Sequence, residues 1–301
     1  MKRDFLRLTD RTAAEYRQLF DRTRELKQRR REGKVETALA GRSLALVFEK
    51  PSTRTRLSFE AAMFQMGGSA IALPIGESQI PRGEPIRDTA RVISSYVDVI
   101  AMRTFGDDRL AEMAKYSRVP VLNALSDGGH PVQLLADLFT IEERLGAVEG
   151  SCVAFVGDGS SNMARSWVEA ARVFGFELKL AAPEDYRPPR EELELSKQHV
   201  ALFTSPAPAV KNADVIATDV WTSMGQEAET AKRKRDFAGY CVDEALLAQA
   251  KPGCIVLHCL PAHRGEEITD AVMEGKSSAI FDEAENRLHV QKALLEDALQ
   301  R

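Results

Sequence analysis

The chain has no long apolar run. Its apolar stretches, such as Cys254 to Leu257, ended by His258, fall far short of the ~18 residues a membrane-spanning helix needs. It has no basic excess either. The 41 Lys and Arg against 45 Asp and Glu give a net charge of -4, which offers no electrostatic footing for coating nucleic acid or lying on a membrane. A small anion stays allowed, because that needs only a local cluster of arginines. Cysteine is scarce: the four residues at 152, 241, 254 and 259 form no C-x-x-C pair and no paired framework. With no signal peptide in view, free thiols in a reducing compartment follow, and a cytoplasmic protein is expected. The arginines near the N-terminus do not read as a transit peptide, since Asp4, Asp10, Glu15, Asp21 and Glu25 interrupt them and such peptides avoid acids. Repeats and low-complexity tracts are absent as well. What remains is the composition of a globular protein, 44% hydrophobic and 29% charged, which excludes disorder and fibrous architectures.

At 301 residues the chain is long enough for two domains of ~150 residues, each with a core of its own. Thr12 followed by Glu15 reads as a capping box, and Tyr16, Leu19, Phe20 and Leu26 mark the apolar face of the helix it opens. The basic end of that helix, at 27–31, suits the helix dipole. The pattern then alternates. Apolar runs at 43–48, 70–74, 97–102, 120–125, 151–156, 176–181, 213–218 and 254–258 are rich in Val, Ile and Leu, as in strands covered on both faces. Helical spacing dominates between them, at 57–66, 86–96, 132–145, 163–174 and 244–250. Alternating βα units predict an α/β protein with parallel sheets flanked by helices. The turn-prone, acidic stretch 145–150 divides a first domain, 1–145, from a second, 150–285. A last helix, about 288–301, is expected to pack back on the first domain.

Ligands of open α/β sheets bind beyond the carboxyl ends of the strands, and the unusual sequences fall there, in six places. The first is Phe48-Glu49-Lys50-Pro51-Ser52-Thr53-Arg54-Thr55-Arg56. A strand, a proline turn and two hydroxyl residues opening a helix among arginines make an anion site. Its lack of the G-x-x-x-x-G-K-[ST] pattern separates it from a P-loop. The plainer alternative is an N-cap with two surface arginines. Met102-Arg103-Thr104-Phe105-Gly106 and His130-Pro131-Val132-Gln133 each put a donor just past a strand, although a lone Arg is usually a surface residue and a lone His a core or capping one. Gly157-Asp158-Gly159-Ser160-Ser161-Asn162-Met163 is half a dinucleotide fingerprint; its third glycine and the ribose-binding acid are missing, which disfavours NAD. The last two are Asp219-Val220-Trp221-Thr222-Ser223-Met224-Gly225 and His258-Cys259-Leu260-Pro261-Ala262-His263-Arg264-Gly265. The latter invites zinc, but its spacing fits no usual pattern and a fourth ligand is missing, so no metal is expected. His258 can equally be the last buried residue of its strand.

In this order and spacing the motifs, with Asn286-Arg287, resemble the carbamoyltransferases over nearly the whole chain, and within them the branch acting on ornithine. Glu77-Ser78-Gln79 through Asp88-Thr89-Ala90-Arg91 is similar to the family's loop before its third helix, while 226–241, with its Lys-Arg-Lys-Arg run, departs most from the pattern. The resemblance implies two α/β domains, a first for carbamoyl phosphate and a second for the amino acid, with the active site in the cleft between them. The implied reaction moves the carbamoyl group from carbamoyl phosphate to the δ-amine of L-ornithine, giving L-citrulline and phosphate, without a cofactor, in arginine biosynthesis. Carried over residue by residue, Ser52, Thr53, Arg54 and Thr55 hold the phosphate. Arg103, His130 and Gln133 surround the carbamoyl group, and Arg287 with the backbone of Leu260 completes its contacts. Gln79 comes from a neighbouring subunit, since the family assembles from trimers. Asn162, Asp219, Ser223 and Met224 bind ornithine, and Cys259 sits beside the reactive amine, touching both substrates without acting as a covalent nucleophile. Arg54, Arg103, His130, Asp219 and Cys259 form the implied catalytic set. Arg56 supports the loop through an acid.

Three rivals frame this reading. A sibling transferase for aspartate, putrescine or an acylated ornithine is disfavoured by Ser223-Met224-Gly225 and Cys259. A binding protein that keeps the fold without turnover is disfavoured by the full set of motif residues, and a dehydrogenase by the incomplete fingerprint.

Overall fold

A computed structural model gives the fold and describes residues 2–74, 79–223 and 227–300. The chain divides into two compact units, Met1–Leu135 with Arg287–Arg301, and Ala136–Asn286. Chain passes from the first to the second inside one helix and returns inside another.

The first unit opens with helix α1 (Ala13–Arg31), where the Thr12 side chain accepts from the Glu15 N–H and the Glu15 carboxylate accepts from the Thr12 N–H. Strands β1 (Ser43–Phe48), β2 (Ser69–Pro74), β3 (Val99–Arg103) and β4 (Val121–Leu125) form a parallel sheet in the order β2-β1-β3-β4. Every residue of β3 and β4 is buried, as their unbroken apolar sequences predict. Helices α2 (Thr53–Gln65), α3 (Ile86–Ile93), α4 (Asp107–Tyr116) and the start of α5 (Pro131–Leu145) connect and follow them.

The second unit carries a five-stranded parallel sheet, β5 (Cys152–Val156), β6 (Glu177–Ala181), β7 (Val200–Phe203), β8 (Val215–Thr218) and β9 (Ile255–His258), in the order β7-β6-β5-β8-β9. Helices α6 (Asn162–Phe174), α7 (Arg190–Ser196), α8 (Pro206–Val210), α9 (Thr230–Asp236), α10 (Glu244–Leu247) and α11 (Asp270–Met273) accompany it. Strand β7 lies at the sheet edge and is only half-buried, so it lacks the fully apolar signature of its neighbours and the sequence reading passes over it.

The last helix, α12 (Ile280–Leu299), begins well before 288. Its opening turns are polar and acidic (Asp282, Glu283, Glu285), which suits a helix N-terminus but hides the apolar period. Asn286-Arg287 is therefore helical. From residue 287 on, α12 belongs to the first unit, where Glu296 pairs with Arg22 and Asp297 with Arg3 and Arg11.

These strand orders locate the chemistry. In the first sheet the order reverses between β1 and β3, and in the second between β5 and β8. Loops leave such a point in opposite directions and open a crevice beyond the carboxyl ends. The sequences following those four strands are Glu49–Ser52, Thr104–Gly106, Gly157–Ser161 and Asp219–Ser223.

Candidate active site

In the first unit, Ser52 caps α2 by accepting from the Thr55 N–H at 3.2 Å, which sets Thr53, Arg54 and Thr55 in the first helical turn. The N–H groups of that turn have no helical acceptor, the arrangement that suits an anion. Arg54 is half-buried, and its buried Nε has no hydrogen-bond partner among the described residues. Across the reversal, the Glu49 N–H donates to the Arg103 carbonyl at 2.8 Å, and the β3–β4 register shifts at Met102/Arg103. Arg103 thus ends β3 with its side chain buried at the crevice. The buried Glu49 carboxylate accepts from the Thr104 hydroxyl and from Arg109. It ties the two strand ends together, a contact joining residues about sixty apart that sequence alone did not expose.

His130 precedes α5 with Pro131 at the first helical position, where proline's missing N–H costs nothing. Gln133, one turn on, is fully buried. Burial, then the charges of Arg287 and Arg103, hold His130 well below the ordinary histidine value. At neutral pH its ring is uncharged and offers one N–H. Arg287 on α12 donates through Nη2 to the Thr55 hydroxyl. Thr55, His130, Arg103 and Arg287 are therefore one buried group in which the histidine stays neutral among cations. Gln79 is exposed and accepts from Arg82 at 3.1 Å, while Arg56 pairs with Glu60 on its own helix at 2.9 Å.

The second unit gathers the remaining residues. Thr218 of β8 stands opposite His258 of β9, so Asp219 and Cys259, the next residue on each strand, emerge side by side. The Cys259 thiol donates to Asp219 Oδ1 at 3.2 Å, and the Val220 N–H donates to the same oxygen at 2.8 Å. Burial pushes the Asp219 carboxyl above the ordinary carboxylate value, against the pull of those two donors. Burial and the adjacent Asp219 charge push the Cys259 thiol well above its usual range. Cys259 is a protonated thiol, unsuited to covalent attack. Asn162 opens α6 beyond a Ser161 cap, half-buried, and Ser223 is half-buried after β8. Met224 lies outside the described residues, as do Glu77 and Ser78.

His258 has the buried structural role, with a further consequence. Its Nδ1 accepts from the Leu260 N–H at 2.9 Å, so the ring proton sits on Nε2, 3.0 Å from the fully buried Glu267. Leu260 is held at φ 58°, the left-handed region that leucine seldom adopts, and the bond to His258 helps fix the backbone there. Asp219, His258 and Cys259 bring ligand-type atoms within 4.8 Å of one another. Both imidazole nitrogens are engaged and the thiol keeps its proton, so this trio is a poor metal cradle. Glu267 went unnoticed in the sequence because its partner stands nine residues earlier on another element.

Comparison with known proteins completes the picture. Residues 3–143 match the profile of the aspartate/ornithine carbamoyltransferase carbamoyl-P binding domain, and residues 149–297 that of the Asp/Orn binding domain. The chain is 53% identical over 302 residues to an ornithine carbamoyltransferase of Sorangium cellulosum, covering 98% of this chain and 96% of that one. It is 50% identical over 299 residues to one of Geobacter sulfurreducens, with 98% of each covered. Among solved structures, the ornithine carbamoyltransferase from Pyrococcus furiosus superposes with a TM-score of 0.94 at 46% identity, covering 98% of this chain and 96% of that one.

Proposed function

Because the chain belongs to the aspartate/ornithine carbamoyltransferase family, we propose that it transfers the carbamoyl group of carbamoyl phosphate to the δ-amine of L-ornithine, giving L-citrulline and phosphate. The observation that carries this reading is the buried group of Arg103, Arg287 and Thr55 around a histidine kept neutral. A phosphorylated carbonyl compound calls for such a set: fixed cations for the phosphate, and an uncharged N–H donor for a carbonyl oxygen.

Ser52, Thr53, Arg54 and Thr55 take the phosphate. Arg103, His130 and Gln133 take the carbamoyl group, with Arg287 and Cys259 alongside. Leu260 contributes its carbonyl, since its N–H is engaged by His258. Asp219 pairs with the α-ammonium of ornithine, while Asn162, Ser223 and Met224 line its path. The δ-amine must be neutral to attack, though its pKa in water is about 10.4 by analogy with lysine. Desolvation beside an uncharged thiol, among the cations around carbamoyl phosphate, favours the neutral form. The amine attacks the carbonyl carbon, and negative charge grows on the carbonyl oxygen as the C–N bond forms. Arg54, Arg103 and His130 stabilise that charge, usually the largest catalytic effect. The intermediate then collapses, phosphate leaves with the bonding electrons, and it takes up the proton that the amine gives off. Holding both substrates in one geometry supplies much of the remaining acceleration. No step calls for a cofactor or a metal.

The functional division falls near 145–150, close to where the two family profiles meet. Assembly is trimeric, with Gln79 serving a neighbouring subunit's site. Exposed Leu57 and Phe64 on α2, Ile71 on the edge strand β2, and Tyr96 after α3 supply apolar surface for such an interface. We place the enzyme in the cytoplasm, where its four free cysteines stay reduced, and in arginine biosynthesis. No helix among the described residues is long and apolar enough to cross a membrane.

The test is citrulline formation from carbamoyl phosphate across a panel of acceptors. Putrescine, which is ornithine without its carboxylate, leaves the partners of that carboxylate unpaired at ~1–3 kcal/mol each. Lysine adds one methylene, discriminated by only ~10–200-fold. The expected order is ornithine, lysine, putrescine, with aspartate undetectable. A preference for aspartate or putrescine overturns the assignment.

A further inference from the structure

Sheet pairing between β5 and β8 ends at Val156 and Thr218. Beyond that point, the loops carrying Asn162 and the pair Asp219 and Ser223 must be held in register by other contacts. One buried side chain spans them. Arg233, from the Lys-Arg-Lys-Arg run on α9, donates through Nη1 to Asp158 Oδ2 at 2.7 Å and to the Trp221 carbonyl at 2.9 Å. Asp158 belongs to the β5 loop, where its other oxygen accepts from the Ser160 N–H and hydroxyl at 2.9 and 2.6 Å. Trp221 lies midway between Asp219 and Ser223. The two charged side chains are 6% and 2% exposed. A buried ion pair of this kind seldom adds net stability over an apolar filling. What it adds is geometry, because the planar guanidinium, whose Nε also donates to Glu229 at 3.0 Å, holds its acceptors at fixed angles and lysine does not.

We infer that Arg233 is a positioning residue for ornithine: through Asp158 and the Trp221 carbonyl it sets the spacing of the two loops that bind the amino acid. This rests on the functional reading above and goes beyond it, assigning a role to the basic run of α9.

The test uses Arg233→Lys, Asp158→Asn and the double variant in the full chain, reading the KM of each substrate, kcat and the thermal unfolding temperature. Arg233→Lys keeps a cation opposite Asp158, so folding is preserved while the bridge to the Trp221 carbonyl is lost. We expect the KM for ornithine to rise about tenfold, the scale of one charge-assisted hydrogen bond, with the KM for carbamoyl phosphate unchanged. Asp158→Asn should do the same. The double variant should fall short of the product of the two effects, since both act through one contact. An unchanged ornithine KM with a lowered unfolding temperature shows a merely structural pair and overturns the inference, as does a parallel rise in both KM values. Failure of the wild-type chain to carbamoylate ornithine is a separate result, which refutes the functional reading before any variant is compared.

Discussion

Replacing Asp219 by Asn separates the function of this carboxylate from its place in the fold. Asparagine keeps the shape and an oxygen able to accept from the Val220 N–H and the Cys259 thiol, the two bonds Asp219 Oδ1 accepts at 2.8 and 3.2 Å. The negative charge is lost, and the second oxygen becomes an NH2 donor that cannot accept from an ammonium. A charge-assisted hydrogen bond to the α-ammonium contributes ~1.5–3 kcal/mol, which at about 1.4 kcal/mol per decade lowers kcat/KM for ornithine by roughly 10- to 100-fold. 5-Aminopentanoate is ornithine without its α-amine, so its kcat/KM should be unchanged and the lead of ornithine over it should shrink by the same factor. Stability moves the other way. The carboxyl's folded pKa lies above its ordinary value because of burial. Its contribution to stability is therefore present below the unfolded pKa and lost as pH rises through the folded one. Near neutral pH the ionised form is the burdened one, and the Asn variant should unfold at the same temperature as wild type or higher. Initial rates with both amines and a thermal scan across pH decide the matter. Near-normal ornithine kinetics, or equal losses with both amines, would refute the pairing.

Three further outcomes follow from the same structure. Arg54→Ala should lower turnover at least ~100-fold, the scale of one transition-state donor, and weaken carbamoyl phosphate binding in calorimetry, with the unfolding temperature unchanged. Mixing inactive Arg54→Ala and Gln79→Ala chains should restore activity through hybrid trimers; no recovery where mass spectrometry detects hybrids means each site is built from one chain. Gly159→Ala puts a methyl 2.7 Å from both Leu180 Cδ2 and the Tyr186 carbonyl oxygen, so overpacking should cost ~1–3 kcal/mol in denaturant unfolding, and a variant as stable as wild type contradicts that packing.

What was legible in the sequence follows from what is local. Strands such as β3 and β5, buried on both faces, announce themselves as unbroken apolar runs, and Thr12 with Glu15 marks its own helix start. The capped helix start at Ser52 to Thr55 was readable because a capping hydroxyl and the first helical turn are neighbours in the chain. Edge strand β7 was missed because half-burial leaves a mixed pattern, and the start of α12 because acids favour a helix N-terminus while breaking the apolar period. The partnerships Glu49 with Thr104, Thr55 with Arg287, and Asp158 with Arg233 join residues 55, 232 and 75 positions apart. No spacing rule reaches that far, so these contacts emerge only when the strand order sets the loops beside one another. His258 shows the middle case: its position at a strand end was visible, but its bonds to Leu260 and Glu267, which fix the turn beside Cys259, were not.

The most direct test of the central claim follows the carbamoyl carbon itself. With carbamoyl phosphate labelled at that carbon with carbon-13, ornithine in excess and no added metal or cofactor, NMR should show the label arriving in the ureido group of citrulline, with one phosphate released for each citrulline formed. Phosphate release without labelled citrulline, or label arriving only when another amine replaces ornithine, would contradict the account.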